Sequence, residues 1–409
     1  MAALADTLDA LAQRLAAAAQ GLRAGSLSLE TDTMQRMGLI KGCSDVIDAV
    51  SLPKDKVLLW MPPFAHIAAI RLFIKWKGFE NIPVGDGASI SYSNLAAKLG
   101  ADESLITRIA RALVANGTLA RVGADSVAHT DFSKILSTPN PIWAMVQLGF
   151  DNQLASFIAM PKYFDHFGIA AEPTDRLQTV LAFSEGRLGS TIWEINHSSE
   201  ERLKVFMLAM AVIEDQMPPL GVYDLSWAAD EAAKSPTDDR RALVVDVGGG
   251  KGQALKGILK ATPGLVPHRN RCVLEDLHEV VEAARKAGDA ELADVQMVAM
   301  DFFKEQPVKG ALVYYMRRCL HDYSDEECVR MLQQISGAMA PDSKLLIVET
   351  LLGDQLSPFQ AAMDIMMLTI SGKERTREDF EDITGKAALK ITKVCQVPGG
   401  SAVIECALA

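Results

Sequence analysis

From Ala242 onward, short apolar runs alternate with amphipathic ones, and this rhythm restricts the fold more than any other feature of the chain. LVVDVG (243–248), RCVLED (271–276), VQMVAMD (295–301), ALVYYM (311–316) and KLLIVET (344–350) read as strands. KGQALKGILKA (251–261) and HEVVEAARKAG (278–288) read as helices between them. Residues 325–339 read as a further helix, opened by a Ser324…Glu327 capping box and followed by Pro341. KITKVCQV (390–397) and SAVIECAL (401–408) pair through Pro398-Gly399-Gly400. Repeated strand–helix units demand a mostly parallel sheet covered on both faces, and the hairpin adds an antiparallel edge. The expected class is α/β, with the large core in residues 220–409.

Upstream the pattern is helical. Residues 1–160 carry apolar runs at 57–60 and 65–76, separated by Pro62-Pro63. Residues 89–122 give helix, turn, helix and a short strand pair, a winged-helix pattern. Its second helix, 104–115, offers only Arg108 and Arg111 as cations. Phosphate affinity grows with the number of cations presented, so packing or dimerisation is favoured over DNA binding. Long helices follow Pro139 and Pro141 and run to about Asp215, where Met217-Pro218-Pro219 breaks the chain. Two domains are expected: a helical, winged-helix dimerisation domain over 1–160, and a second over 161–409, in which a helical connection (161–219) leads into the sheet (220–409). The helix at 4–23 sets Leu4, Leu8, Leu11, Leu15 and Ala18 on one face, which suits an interface or a cover for its own domain.

Charge and cysteine usage narrow the partners. Lys+Arg number 41 against 52 Asp+Glu, a net charge of −11. Such a surface repels nucleic acid and anionic lipid unless a local basic patch intervenes, and no such run is visible. The six cysteines show no CxxC pair and no metal-ligand spacing, so we expect free thiols, no metal and a reducing compartment, the cytoplasm. No stretch approaches 18 uninterrupted apolar residues, and residues 1–25 read as an amphipathic helix rather than a signal peptide, so no membrane partner is expected.

Asp246-Val247-Gly248-Gly249-Gly250-Lys251-Gly252 stands where the first strand meets its helix. Glycines there let the backbone approach a ligand, and the following helix N-terminus offers N–H groups. Glu275 and Asp276 end the second strand and Asp301-Phe302 closes the third. The bland reading is a tight turn followed by solvated acids. Signals at three successive strand ends favour a nucleoside site, since ligands in such sheets bind at the carboxyl ends of strands. The acidic rim argues against an oligophosphate and suits a nucleoside bearing positive charge.

Past the fourth strand comes RRCLHDYSDEEC (317–328), in which LHDYSDEEC resembles the LHDW-x-D-x-x-C signature of plant and fungal small-molecule O-methyltransferases of the caffeic acid and chalcone type. VVDVGGGKG, LEDLHEVVEAAR, LLIVET, SGKERTREDFED and the winged-helix segment share the resemblance, over roughly residues 40–409. It implies a Rossmann-like class I methyltransferase sheet with an antiparallel terminal strand, S-adenosyl-L-methionine as cofactor, a homodimer and a small hydroxylated acceptor. It assigns His321 as general base, flanked by Glu349 and Glu374. Asp246, Gly248, Gly250 and Gly252 fall to the cofactor loop, Asp276 to the ribose, Asp301 and Phe302 to the adenine, and Arg317 to the family's usual lysine position. Asp322 matches an acceptor-orienting residue, and Phe206, Met210, Met366 and Met367 match the apolar walls around the acceptor. The base assignment has its own physical logic: an attacking hydroxyl must shed a proton, and an imidazole of ordinary pKa about 6.5 is suited to take it.

Tyr323 replaces the usual Trp, the chain between Met367 and Gly372 is shorter than in plant members, and Ile213 stands where some have a polar residue. The expected function is methyl transfer to a hydroxyl of a small aromatic or polyketide-like secondary metabolite. The alternative is a pericyclase or dehydratase on the same fold that uses S-adenosylmethionine without consuming it. Retention of His321 and both glutamates favours the first. A non-enzymatic winged-helix regulator is a more distant third.

Overall fold

The computed structural model describes residues 2–215, 218–234, 240–396 and 401–409. The chain divides into two compact units, Met1–Thr130 and Asp131–Ala409. The division thus falls at 130/131 and not at the expected 160. The reason is burial: Ala144 and Leu148, on helix Ile142–Leu148, pack against Val205, Phe206 and Ala209 of helix Glu200–Asp215, so this stretch belongs to the second unit.

In the first unit, helix Tyr92–Leu99 is capped by Ser91, whose side chain accepts from the Asn94 N–H, and is closed by Gly100 in the left-handed region at φ 62°. Helix Glu103–Ala115 is capped by Asp102 and buries Ile106, Ala110 and Leu113, while Arg108 and Arg111 stay exposed. Strands Leu119–Val122 and Ser126–His129 form the hairpin, and Ile90–Ser91 joins its edge. The earlier helices behave differently. Leu11 of helix Ala2–Arg23 is buried near Gly42 of helix Thr33–Val50, but Leu8 and Leu15 are exposed. Helix Pro53–Leu58 has no buried residue, and Leu58, Trp60 and Met61 are 66%, 63% and 69% exposed. Taken across the turn at Leu59-Trp60, the 23 residues of Pro53–Lys75 are apolar enough and long enough to cross a membrane by length and composition. This corrects the expectation that no stretch qualifies. A search for an uninterrupted apolar run passes over a segment carrying Lys54, Asp55, Lys56 and Arg71.

Among the described residues the second unit is built on seven principal strands: β1 (Val244–Val247), β2 (Cys272–Asp276), β3 (Gln296–Ala299), β4 (Val313–Arg317), β5 (Lys344–Leu352), β6 (Leu389–Gln396) and β7 (Ser401–Leu408). Their order is β3-β2-β1-β4-β5-β7-β6. The first five are mutually parallel, while β7 pairs antiparallel with β5 and β6. The two-residue strand Arg375–Thr376 extends the end of β5, Leu351 opposite Arg375. The hairpin strands lie where expected; its Pro398-Gly399-Gly400 turn and Met217 lie outside the described residues.

Successive strand residues face opposite layers. Val245, Tyr314, Met316 and Ile347 bury on one face, and Val244, Val313, Tyr315 and Leu346 on the other. A sheet covered on both sides accounts for strands apolar at every position rather than alternating. The helix entering at Asp325 has the expected Ser324/Glu327 capping box and ends at Ser336. Because β1, β2, β4 and β5 are parallel, their carboxyl ends open on one edge, with the order reversing between β1 and β4.

One acid on this edge is fully buried. Glu275 accepts from Gln306 Nε2 at 2.8 Å through Oε2, and among the described residues Oε1 has no hydrogen-bond partner. Burial pushes its carboxyl up to about 7, helped by the Asp246 charge and opposed by the Gln306 bond. The fold therefore binds this proton more tightly than the unfolded chain, and the associated stability is lost as pH rises from about 4.5 through about 7. We expect Glu275→Gln, which keeps an acceptor for Gln306, to raise the melting temperature at pH 8 and to lose that advantage by pH 5. Equal gains at both values in thermal unfolding would contradict the buried-acid account.

Candidate active site

The loop after β1 is shaped by its glycines. Gly248, Gly250 and Gly252 have φ of 75°, 58° and 84°, backbone that side-chain-bearing residues rarely adopt. The N–H groups of Gly248 and Gly249 donate to the Glu275 carbonyl, and Gly250 N–H donates to Asp276 Oδ2 at 2.8 Å. A Cβ at Gly248 would lie 2.7 Å from the Phe302 ring and 2.9 Å from Cys319 Sγ. Four expected cofactor-site residues, Gly248, Gly250, Asp276 and Phe302, are thereby brought together. Asp246 is buried beneath the loop, where a Cβ on Gly249 would meet its Oδ2. Asp276 also accepts from Leu277 N–H, and burial raises its pKa against the two backbone bonds. Asp301 precedes the ring of Phe302 and accepts from Phe303 N–H. Phe302 meets Tyr323 edge-on, centroids 6.1 Å apart at 87°. Arg317 ends β4, half-buried, at the same edge.

The turn after β4 carries the histidine. Arg318 adopts φ 53°, and Leu320–Asp322 forms a single 3₁₀ turn. His321 is 6% exposed. Its Nδ1 lies 3.3 Å from Glu374 Oε1 and 3.7 Å from Glu349 Oε2, and its Nε2 lies 3.5 Å from Asp322 Oδ1. Glu349 does double duty: its Oε1 accepts from the N–H groups of Cys319 and Leu320, both at 2.9 Å. Among the described residues, Oε2 of Glu349 and Oε2 of Glu374 have no hydrogen-bond partner. With both glutamates on the Nδ1 side, the favoured neutral tautomer keeps its proton on Nδ1 and leaves Nε2 to exchange one.

Electrostatics follow from this crowding. Burial opposes the charged imidazolium, but Glu349, Asp322 and the Glu374 bond outweigh it, and Arg318 only partly offsets them, so His321 is raised to about 9. Burial likewise raises the carboxyls of Asp322 and Glu349, with the imidazolium pulling both back.

The apolar residues are placed less tightly. Phe206 and Met210 share helix Glu200–Asp215, and Phe206 packs edge-on against Trp193, centroids 5.8 Å apart. Met366 and Met367 lie on helix Pro358–Leu368, where only Met367 is buried. A small cavity reaches Asp322, but Arg176, Thr191, Ile192, Trp193, Tyr323 and Ile370 complete its lining, not those four residues. The sequence reading missed Trp193, although the Thr191…Glu194 capping box marks its helix. It also missed Asp364, whose Oδ1 accepts from the Glu374 N–H at 3.1 Å.

Comparison with known proteins identifies the family. A family model described as an O-methyltransferase domain matches residues 177–390. The chain is 34% identical over 370 residues to the methyltransferase cfoD of Aspergillus candidus, covering 89% of this chain and 90% of that one. In structure it is similar to OxaC in complex with SAH and oxaline, with a TM-score of 0.84, 25% identity and coverage of 100% and 99% of the two chains. It also shares its fold with a pericyclic reaction enzyme, with a TM-score of 0.80, 21% identity and coverage of 96% and 99%. The chain belongs to the O-methyltransferase domain family. It is a methyltransferase of class I fold, and S-adenosylmethionine is its cofactor. The residues present fit that group: the glycine loop leaves no side chain at its closest approach to Phe302, and Oε2 of Glu349 and Oε2 of Glu374, without hydrogen-bond partners among the described residues, suit a cation.

We expect the His321 imidazole of the cofactor-free protein to titrate near 9 by NMR. Glu374→Gln should move that titration downward, since one raising carboxylate is removed. A parent titration near the ordinary imidazole value would show that the carboxylates do not act on the ring.

Proposed function

We propose that the protein transfers a methyl group from S-adenosylmethionine to a hydroxyl of a small aromatic or polyketide-like metabolite, with His321 as general base. The observation that carries this reading is the buried imidazole whose Nδ1 faces Glu374 and Glu349. When bound, the cofactor supplies an electrophilic methyl carbon and a positive charge. Asp246, Gly248, Gly250 and Gly252 form its loop, Asp276 takes the ribose hydroxyls, Asp301 and Phe302 hold the adenine, and Arg317 stands at the edge. On this reading the acceptor walls fall to Phe206, Met210, Met366 and Met367, which lie outside the small cavity that reaches Asp322, and the orienting of the hydroxyl beside Nε2 falls to Asp322.

The proton path is short. The acceptor hydroxyl gives its proton to Nε2 as its oxygen attacks, and Glu349 and Glu374 stabilise the imidazolium that forms. Nε2 must be unprotonated beforehand, so turnover rises with pH along a limb set by His321. A positive charge on the acidic edge moves that limb below the cofactor-free value of about 9. Holding acceptor and donor in line does much of the remaining work, because a sulfonium methyl is reactive once positioned.

The likeness in fold to a pericyclic reaction enzyme supports a second reading, in which the cofactor is bound but not consumed. The contact of His321 with both glutamates favours methyl transfer, which needs a base. Incubation with methyl-labelled cofactor separates the two. Methyl transfer gives a labelled product heavier by one methylene, with S-adenosylhomocysteine formed; an unlabelled isomer with the cofactor intact would establish the second reading. His321→Ala should lose turnover by roughly 10²–10⁴-fold while keeping cofactor binding. Undiminished turnover would remove His321 from the chemistry.

The reading includes a cytoplasmic homodimer. Six unpaired cysteines support the compartment, and the exposed apolar run of Leu58, Trp60, Met61 and Phe64 supports an interface in the first unit. Sedimentation at micromolar concentration should give a dimer, and Trp60→Glu with Met61→Glu should give a monomer of unchanged melting temperature. A parent monomer that floats with liposomes would assign the run to a membrane instead.

A further inference from the structure

We propose that Arg375 is a positioning residue for His321, its guanidinium fixing the turn that carries the base against the segment that carries Glu374. The inference rests on the reading of His321 as the base. Arg375 is among the largest side chains that are fully buried. Its Nη1 donates to the Leu320 carbonyl and its Nη2 to the Tyr323 carbonyl, both at 2.8 Å. These two carbonyls bracket His321-Asp322. Nε donates to Asp325 Oδ1 at 2.8 Å, on the first residue of helix Asp325–Ser336 and close to the surface.

The backbone beside Arg375 reinforces the grip. Lys373 N–H donates to the His321 carbonyl at 2.8 Å. Gly372 permits that approach, because a Cβ there would lie 2.1 Å from the His321 carbonyl oxygen. From the other side Glu349 takes the N–H groups of Cys319 and Leu320. The turn is therefore held by its donors on β5 and by its acceptors on the Gly372–Arg375 segment.

A buried guanidinium is costly unless its donors are met, and here a carboxylate and backbone carbonyls meet them. Anchoring Asp325 alone would not need the two carbonyls around His321. Their capture sets the separation of Nδ1 from Oε1 of the adjacent Glu374, 3.3 Å, near the limit of a hydrogen bond, where a small displacement breaks it. Lysine, a point charge without a planar fork, cannot serve both carbonyls and the carboxylate together.

The test compares Arg375→Lys, Glu374→Gln, their double variant and His321→Ala, using kcat, the affinity for S-adenosylhomocysteine and NMR titration of His321. Arg375→Lys should lower kcat roughly 10- to 100-fold, the usual effect of a misplaced group, with affinity within about twofold of the parent. Its His321 titration should move downward, and the double variant should lose no more than the worse single one. A titration at the parent value, or losses that multiply, would overturn the proposal. If Arg375→Lys does not fold, Asp325→Ala removes the acceptor of Nε and Lys373→Ala controls for the lost pairing with Lys373: a downward movement of the titration larger in Asp325→Ala than in Lys373→Ala supports the role, and an equal or absent one refutes it. The underlying reading fails separately, when His321→Ala turns over like the parent; an inactive His321→Ala beside an unmoved Arg375→Lys titration sinks the positioning role alone.

Discussion

Glu349 lies near the carboxyl end of β5, three residues before Leu352, with its side chain buried, and its two oxygens serve different masters. One accepts two backbone N–H groups from the turn after β4, and the other stands 3.7 Å from His321 Nδ1. A carboxylate in such a place is tolerated only when it is paired and hydrogen-bonded, and removing its partner costs about 3–5 kcal/mol in comparable buried pairs. The same group therefore shapes the backbone of the turn and charges the ring that the turn presents. The pairing of β4 with β5 makes this possible, because Arg317, the last residue of β4, lies opposite Val348 and the turn therefore begins level with Glu349.

The sheet order explains why the remaining acids gather there. Strands β1, β2 and β4 deliver the glycine loop, Asp276 and His321 to a common edge, and the order reverses between β1 and β4, the place where ligands bind in sheets of this kind. Three acids, Asp322, Glu349 and Glu374, face one imidazole, with Arg318 as a further positive charge. The −11 net charge says little about function by itself. Its distribution says more, because these particular carboxylates are desolvated and cannot be neutralised by solvent.

Much of this was legible in the sequence because it is local. Strand periodicity, the Ser324…Glu327 box and the Gly248–Gly252 spacing depend on neighbours a few residues apart, and the structure reproduces them. The domain boundary was not legible, since residues 131–160 read as helical like those before them while Ala144 and Leu148 pack against a helix sixty residues further on. Trp193, Asp364 and Arg375 were missed for the same reason. Nothing in their immediate sequence shows that a tryptophan borders Asp322, or that an arginine reaches back to Leu320 and Tyr323. The apolar span at Pro53–Lys75 was passed over because its charges interrupt any continuous run.

The tightened hold of His321 on its proton joins the two halves of the site. Its Nδ1 is committed to carboxylates, so the proton that comes and goes is the one on Nε2, beside Asp322. A cation arriving at the acidic edge weakens the hold of those carboxylates on that proton, while a neutral ligand does not. On the proposed reading of His321 as the base, donor binding and its activation are linked through charge. That linkage favours a rigid turn over a mobile one, and a rigid turn is what the grip of Glu349 on its N–H groups and of Arg375 on its carbonyls provides. An acceptor that arrives as a neutral hydroxyl fits such a site better than an anion, which would meet the buried carboxylates before it met the donor.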